Sequence, residues 1–276
     1  MIQAPSIAQQ RMMQAVLGAV AAVLLAACAT KDVGVPSTAG NAAGIVTDSD
    51  EGNARKRARL RLELAIGYFE QGQPTVALDE IKQALAADPN FAEAYNLRGL
   101  VYMRLADAGL AEDSFRRAIA LNPRDPNTLH NYGWLLCQQN RFGDAQQQFS
   151  AALGVPTYGE RAKTLMTQGV CQLRAGQRAE AERSLTQAYE LDAGNPVIGY
   201  NLASLLAQRE EWSRAQFYIR RINNGPSSNA ETLWLGIKVE RKLNNREAVA
   251  QLASQLQRRF PQSREAAAYE RGSFND

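Results

Sequence analysis

Two ladders of small residues constrain this chain more than any other feature. Ala77, Ala111, Ala145, Ala181, Ala215 and Ala248 recur at spacings of 34, 34, 36, 34 and 33 residues. Ala65, Gly99, Gly133, Gly169, Ala203 and Gly236 run in step with them, 12 residues ahead each time. A small side chain is needed wherever one helix must approach another closely. The period therefore marks a helix–turn–helix unit repeated about six times. Stacked units of this size form a solenoid, and a solenoid is a binding scaffold before it is an enzyme.

Other positions recur around the ladders. The first unit, about 58–91, carries Leu64, Tyr68, Gly72, Ile81, Ala84 and Pro89. The second, about 92–125, carries Tyr95, Tyr102, Phe115, Ala118 and Pro123. The third, about 126–161, carries Tyr132, Phe149 and Ala152 and runs two residues long through Gly154-Val155-Pro156. The fourth, about 162–195, keeps Leu165, Gly176, Leu185 and Ala188, while the last two, about 196–228 and 229–261, match least well. The pattern resembles the tetratricopeptide repeat. It predicts an all-α fold, a right-handed superhelical solenoid of about six helix–turn–helix repeats over residues 54–263, with 264–276 as a frayed C-terminal tail. Weak terminal repeats fit a capping role with a more polar outer face. Asp88-Pro89, Asn122-Pro123 and Asn195-Pro196 read as helix stops, because proline lacks an N–H and disfavours helix in the residue before it. The composition agrees: the chain is 45% hydrophobic and rich in the helix formers Ala, Leu, Gln and Arg.

The N-terminus reads as a targeting segment. Arg11 precedes an apolar run from Met12 to Ala27 that is too short and too rich in small residues for a membrane span. The run closes in Leu25-Ala26-Ala27-Cys28, which resembles the bacterial lipobox. The resemblance implies a signal peptide at 1–27, cleavage before Cys28, and lipid on its sulfur and new amino group. Several acyl chains hold a protein firmly to a bilayer. An Asp after the modified Cys resembles an inner-membrane retention signal; Ala29 stands there instead, so the expected location is the outer membrane, periplasmic face. Residues 28–53, rich in Gly, Ala, Ser, Thr and Asp, read as a lipidated flexible tether with a reach of roughly 25–30 Å. The net charge is only +3, and no basic stripe is interleaved with aromatics, which argues against a nucleic-acid partner.

The first helix of each pair lines the concave face of such an array. In phase there are Leu62, Ile66 and Phe69; Asn96, Leu100 and Met103; Asn127, His130, Trp134 and Cys137; Lys163, Met166, Val170 and Leu173. The later repeats contribute Tyr200, Ser204 and Ala207, then Leu233, Ile237 and Glu240. An apolar groove of this kind is the expected site for a partner segment; the competing reading is that it packs on itself or on the tail. The Lys, Arg and Asn clamp with which some co-chaperone arrays hold a C-terminal carboxylate is missing, since Leu62, Ile66, Leu97, Asn127 and Asn131 occupy its positions. Cys137 and Cys171 sit at similar heights on neighbouring first helices. In an oxidising periplasm they form either a bridge between repeats three and four or two buried free thiols. His130 and Cys137 lie seven residues apart on one helix, about 10 Å between Cα atoms, too far for the imidazole to activate the thiol. With a single His and no acidic cluster, no metal site, cofactor, small-molecule substrate or catalytic centre is expected.

One segment is more specific than any repeat consensus: His130-Asn131-Tyr132-Gly133-Trp134-Leu135-Leu136-Cys137-Gln138-Gln139. With Thr232-Leu233-Trp234-Leu235-Gly236-Ile237 and Arg258-Arg259-Phe260-Pro261, it resembles the type IV pilus biogenesis/stability lipoproteins (PilF/PilW). Leu135 and Leu136 depart from that family, which often has an aromatic there. The resemblance implies a pilotin: an outer-membrane lipoprotein that promotes localisation and multimerisation of the pilus secretin, or stabilises pili, by protein binding alone. It implies a secretin or another pilus-assembly protein as partner, and a Cys137–Cys171 pair as the family's disulfide. The alternative is a general periplasmic scaffold lipoprotein for cell-envelope assembly.

Overall fold

The computed structural model describes residues 52–274; the signal segment, Cys28 and nearly all of the tether lie outside the described residues. Thirteen helices follow one another among them, with no strand. They pair as α1 (Asn53–Glu70) with α2 (Pro74–Ala87), α3 (Ala92–Arg104) with α4 (Ala108–Leu121), and α5 (Pro126–Gln138) with α6 (Phe142–Leu153). Next come α7 (Arg161–Arg174) with α8 (Arg178–Leu191), α9 (Pro196–Gln208) with α10 (Trp212–Asn223), and α11 (Ala230–Lys242) with α12 (Arg246–Arg259). A short α13 (Arg264–Glu270) closes the series.

The glycine and alanine ladder sets how closely each pair packs. A Cβ on Gly99 would lie 2.5 Å from the Phe115 ring, and one on Gly133 would lie 2.8 Å from the Phe149 ring. Where the ladder carries alanine, the residue sixteen positions on is a slimmer Ile: Ala65 shares a core with Ile81, and Ala203 with Ile219. Large residue and small residue are thus exchanged across one contact, keeping its volume. The all-alanine ladder is fully buried from Ala77 to Ala215 and loosens only at Ala248.

Helix starts are written in the side chains. Asp125 accepts from the backbone N–H of Asn127 and Thr128 ahead of Pro126, and Asn195 accepts from Val197 and Ile198 ahead of Pro196. Asn229 and Thr232 form a reciprocal capping box at α11. The expected stop at Asn195-Pro196 is therefore corrected: α8 already ends at Leu191, and Pro196 occupies the first helical position, where a missing N–H costs nothing. Pro89 and Pro123 do follow helix ends.

A third periodicity appears in the turn inside each repeat. Gly72, Ala106, Asn140, Gly176, Glu210 and Asn244 all have positive φ, between 57° and 76°. Only two of the six are glycine. The left-handed conformation costs a Cβ-bearing residue about 1 kcal/mol. Glu210→Gly is accordingly expected to raise stability by about 1 kcal/mol, seen as a rise of a few degrees in Tm with unchanged circular dichroism.

The six first helices form the inner layer. Each touches the next along much of the array (α1 with α3, α3 with α5, α5 with α7, α9 with α11), whereas successive second helices do not make comparable contacts. The chain thus curves with its first helices on the concave side. The C-terminal segment is not the frayed tail expected. Helix α13 packs on α11 and α12, Ala266 is buried there, and Phe274 stacks on Trp234 at 5.2 Å. It seals the apolar end of the sixth repeat. At the other end of the described residues, Leu60 and Leu64 on α1 are 62% and 49% exposed.

Candidate partner-binding groove

The inner layer carries an apolar stripe at one repeating position. Ile66 is 40% exposed, and Leu100, Trp134 and Val170 are half-buried at the equivalent places in the next three repeats. Phe69, Met103, Met166 and Leu173 flank it, also half-buried. Leu100, Met103 and Trp134 pack against the core of repeats two and three, so their outer edges are presented from a rigid bed. Polar groups interrupt the stripe sparingly. Asn131 Nδ2 donates to Asn96 Oδ1 at 3.0 Å, and the Arg104 guanidinium lies 5.2 Å over the Phe69 ring.

Several expected groove residues are not surface at all. Leu62 and His130 are buried, because this position meets the neighbouring first helix rather than the groove: Leu62 joins a core with Ala94, and His130 faces Thr164. Leu233 and Ile237 are covered, in the cluster that Ala266 of α13 completes. Glu240, at 1% exposure, turns away to the outer layer, where Arg220 donates from Nε to Oε1 at 2.5 Å and Gln216 and Asn245 complete its shell. Cys137 is also buried, and its Sγ is bonded to Cys171 Sγ with the Cα atoms 5.8 Å apart. The bridge ties α5 to α7 and leaves no thiol beside His130. Among the described residues no three His, Cys, Asp or Glu side chains gather as a metal site, and no helix is long and apolar enough to cross a membrane.

His130 is the chain's only histidine. Its Nδ1 lies 2.8 Å from Thr164 Oγ1, which in turn meets the Tyr158 hydroxyl at 2.7 Å. Burial, with the Lys163 charge as a smaller contribution, pushes its pKa down to about 4. The fold thus holds it neutral. This stability is complete above the unfolded pKa near 6.5 and is lost as pH falls towards 4, by about 3 kcal/mol. Urea titrations at pH 7 and pH 4.5 should show the wild type losing about 2–3 kcal/mol more than His130→Gln; equal losses would contradict the burial account.

Two features of the surface lie outside the predicted groove. Leu60 and Leu64 give α1 a second apolar face at the N-terminal end of the described residues. Their four-residue spacing, beside core residues Ala58, Leu62 and Ala65, was the available signal. The other is a basic turn at the end of α11, where Lys242 lies over the Trp212 ring and Arg241 over the Phe274 ring.

Family profiles described as tetratricopeptide repeat match residues 62–126 and 133–196, and further such profiles match 114–147 and 172–225. With six stacked helix pairs, the chain belongs to the tetratricopeptide-repeat family. It is similar to the type IV pilus assembly protein PilF of Pseudomonas aeruginosa, 28% identical over 228 residues that span 83% of this chain and 89% of PilF. Among solved structures it matches Pseudomonas aeruginosa PilF with a TM-score of 0.72 and 26% identity, covering 80% of this chain and all of that one. It also matches PilW, described as a widely conserved type IV pilus biogenesis factor, with a TM-score of 0.70 and 28% identity over 77% of this chain and 97% of PilW. The chain is therefore a homologue of PilF and a tetratricopeptide-repeat protein of the type IV pilus biogenesis group. An uncharacterised protein of Haemophilus influenzae is 30% identical over 143 residues, 51% of this chain and 78% of its own length. No catalytic family is among these matches.

Proposed function

We propose that this protein is a lipid-anchored pilotin of the outer membrane, facing the periplasm, that promotes secretin localisation and multimerisation or stabilises pili. The observation that carries the reading is the apolar stripe of Ile66, Leu100, Trp134 and Val170 on the inner layer of a PilF homologue. Large apolar and aromatic anchors set in a firm bed dominate interface energetics, and no reacting group is required. In this account Cys28 supplies the address through its lipid, the tether supplies the reach, and the groove supplies the grip on a pilus-assembly protein.

Deleting the protein is expected to abolish heat-resistant secretin multimers in the outer membrane, and a soluble Cys28→Ala form should fail to restore them. The readout is gel electrophoresis of fractionated membranes without boiling. Normal multimers and normal piliation in the deletion strain would instead favour a scaffold serving other envelope machinery.

A further inference from the structure

Leu60 and Leu64 stand at positions that later repeats use to dock on the repeat before them. Counted along the array, Leu60 corresponds to Ala94, Thr128, Thr164 and Ile198, none of them more than 1% exposed. Leu64 corresponds to Tyr132, whose hydroxyl donates to Glu112 on α4, the second helix of the preceding repeat, at 3.0 Å. In α1 no described residue fills this seat. Leu60, Glu63, Leu64, Gly67, Tyr68 and Gln71 line a shallow hollow of about 730 Å³ there. The filled seats take a second helix that runs back along the first helix it meets, as α2 does on α3 across the turn at 88–91. The seat on α1 is therefore shaped for an antiparallel helix with an apolar stripe.

The charges on α1 say which helix that is. All its cations precede Leu62 and both its carboxylates, Glu63 and Glu70, follow it. This order opposes the helix macrodipole and is unfavourable in a helix on its own. It is complementary to the same helix running the other way, which brings the opposite charge to each end. An antiparallel pair centred on Leu64 sets the two Leu64 side chains together and Leu60 against Gly67 and Tyr68 of the second copy. The exposed Lys56 and Arg57 then face Glu70 and Gln71 of the second copy at both ends. We propose that two copies of this chain associate through α1 in such a twofold, antiparallel pair. A single helix pair is a small interface, and Glu63 of both copies flanks the axis, so the dimer is weak and reversible. The chain's own residues 29–51 are the poorer occupant: from Pro36 to Gly52 their large apolar residues are Ile45 and Val46 alone, too few for a helical stripe. The inference stands on the repeat register of α1 and is independent of the pilus reading.

The test is sedimentation equilibrium of the soluble mature chain carrying Cys28→Ala, from about 5 to 500 µM, the range suited to a small interface. The average mass should rise with concentration towards twice that of the monomer. Leu64→Asp, shown by circular dichroism to be folded, should stay monomeric. Lys56→Glu/Arg57→Glu and Glu63→Lys/Glu70→Lys should each weaken self-association at least fivefold. Mixing these two double variants should restore association to the wild-type level or above, because each end of the mixed pair again joins opposite charges; a folding defect would not be repaired by mixing. The proposal is overturned by a monomer at every concentration, by a dimer that Leu64→Asp leaves unchanged, or by a mixture that associates no better than its components. It is equally overturned if the mature chain is monomeric and dimers form only once residues 29–51 are removed, which would assign the seat to the chain's own segment.

Discussion

Gly99→Val is expected to destabilise the array by about 3 kcal/mol, whereas Gly67→Ala should stabilise it by up to about 1 kcal/mol. Both glycines lie inside first helices, so the helix-propensity gain has the same sign in each. They differ in what a side chain would meet. Nothing lies within 4 Å of a Cβ at Gly67, while one at Gly99 would enter the ring of Phe115, which is itself fully buried and has nowhere to move. The array also supplies the compensation. Repeats one and five pair alanine with Ile where repeat two pairs glycine with Phe. Gly99→Ala combined with Phe115→Ile should therefore be more stable than the sum of the single changes by at least about 1 kcal/mol. Chemical denaturation of the four species measures this coupling, and strict additivity would contradict the volume exchange.

Loss of the Cys137–Cys171 bridge is the other large effect. It closes a separation of 34 residues, for which chain entropy gives about 3–4 kcal/mol. The stabilisation should fall at the junction of repeats three and four, where the chain departs from its 34-residue period and a seven-residue connection separates α6 from α7. The denaturation midpoint should drop on reduction and in Cys137→Ala/Cys171→Ala by the same amount, with native helix content kept. A change below about 1 kcal/mol would mean that the junction is held by its side chains alone. The Arg161 guanidinium on the Leu153 carbonyl and the Tyr158–Thr164–His130 chain would then be the elements responsible.

The array was legible because its determinants are local and repeated. Each small residue reports one helix crossing, and six in phase leave little freedom in how the helices stack. What escaped the pattern depends on neighbours that periodicity does not name. His130 and Leu62 share a helix face with true groove residues, but the adjacent first helix covers them. Leu233 and Ile237 occupy groove positions in register, yet α13 takes the place of a further repeat and buries them. The turn residues Ala106 and Glu210 adopt a glycine conformation without being glycine, since the helices on both sides over-determine the turn. Pro196 is ambiguous in a one-dimensional reading, because proline both follows helices and begins them. The basic turn at Arg241 and Lys242 meets its aromatic rings only when α11 is set against α10 and the C-terminal segment.

The central claim is that the inner apolar stripe grips a pilus-assembly protein. The most direct measurement is the affinity of the soluble mature chain for purified secretin, compared among Ile66→Asp, Trp134→Ala and the outer-layer variant Phe217→Ala, each first shown to be folded. Phe217 is 61% exposed on α10, a second helix outside the concave layer. At least a tenfold loss for the two stripe variants, with less than a twofold change for Phe217→Ala, is the predicted result. Unchanged affinity in both stripe variants, or loss confined to Phe217→Ala, would contradict it.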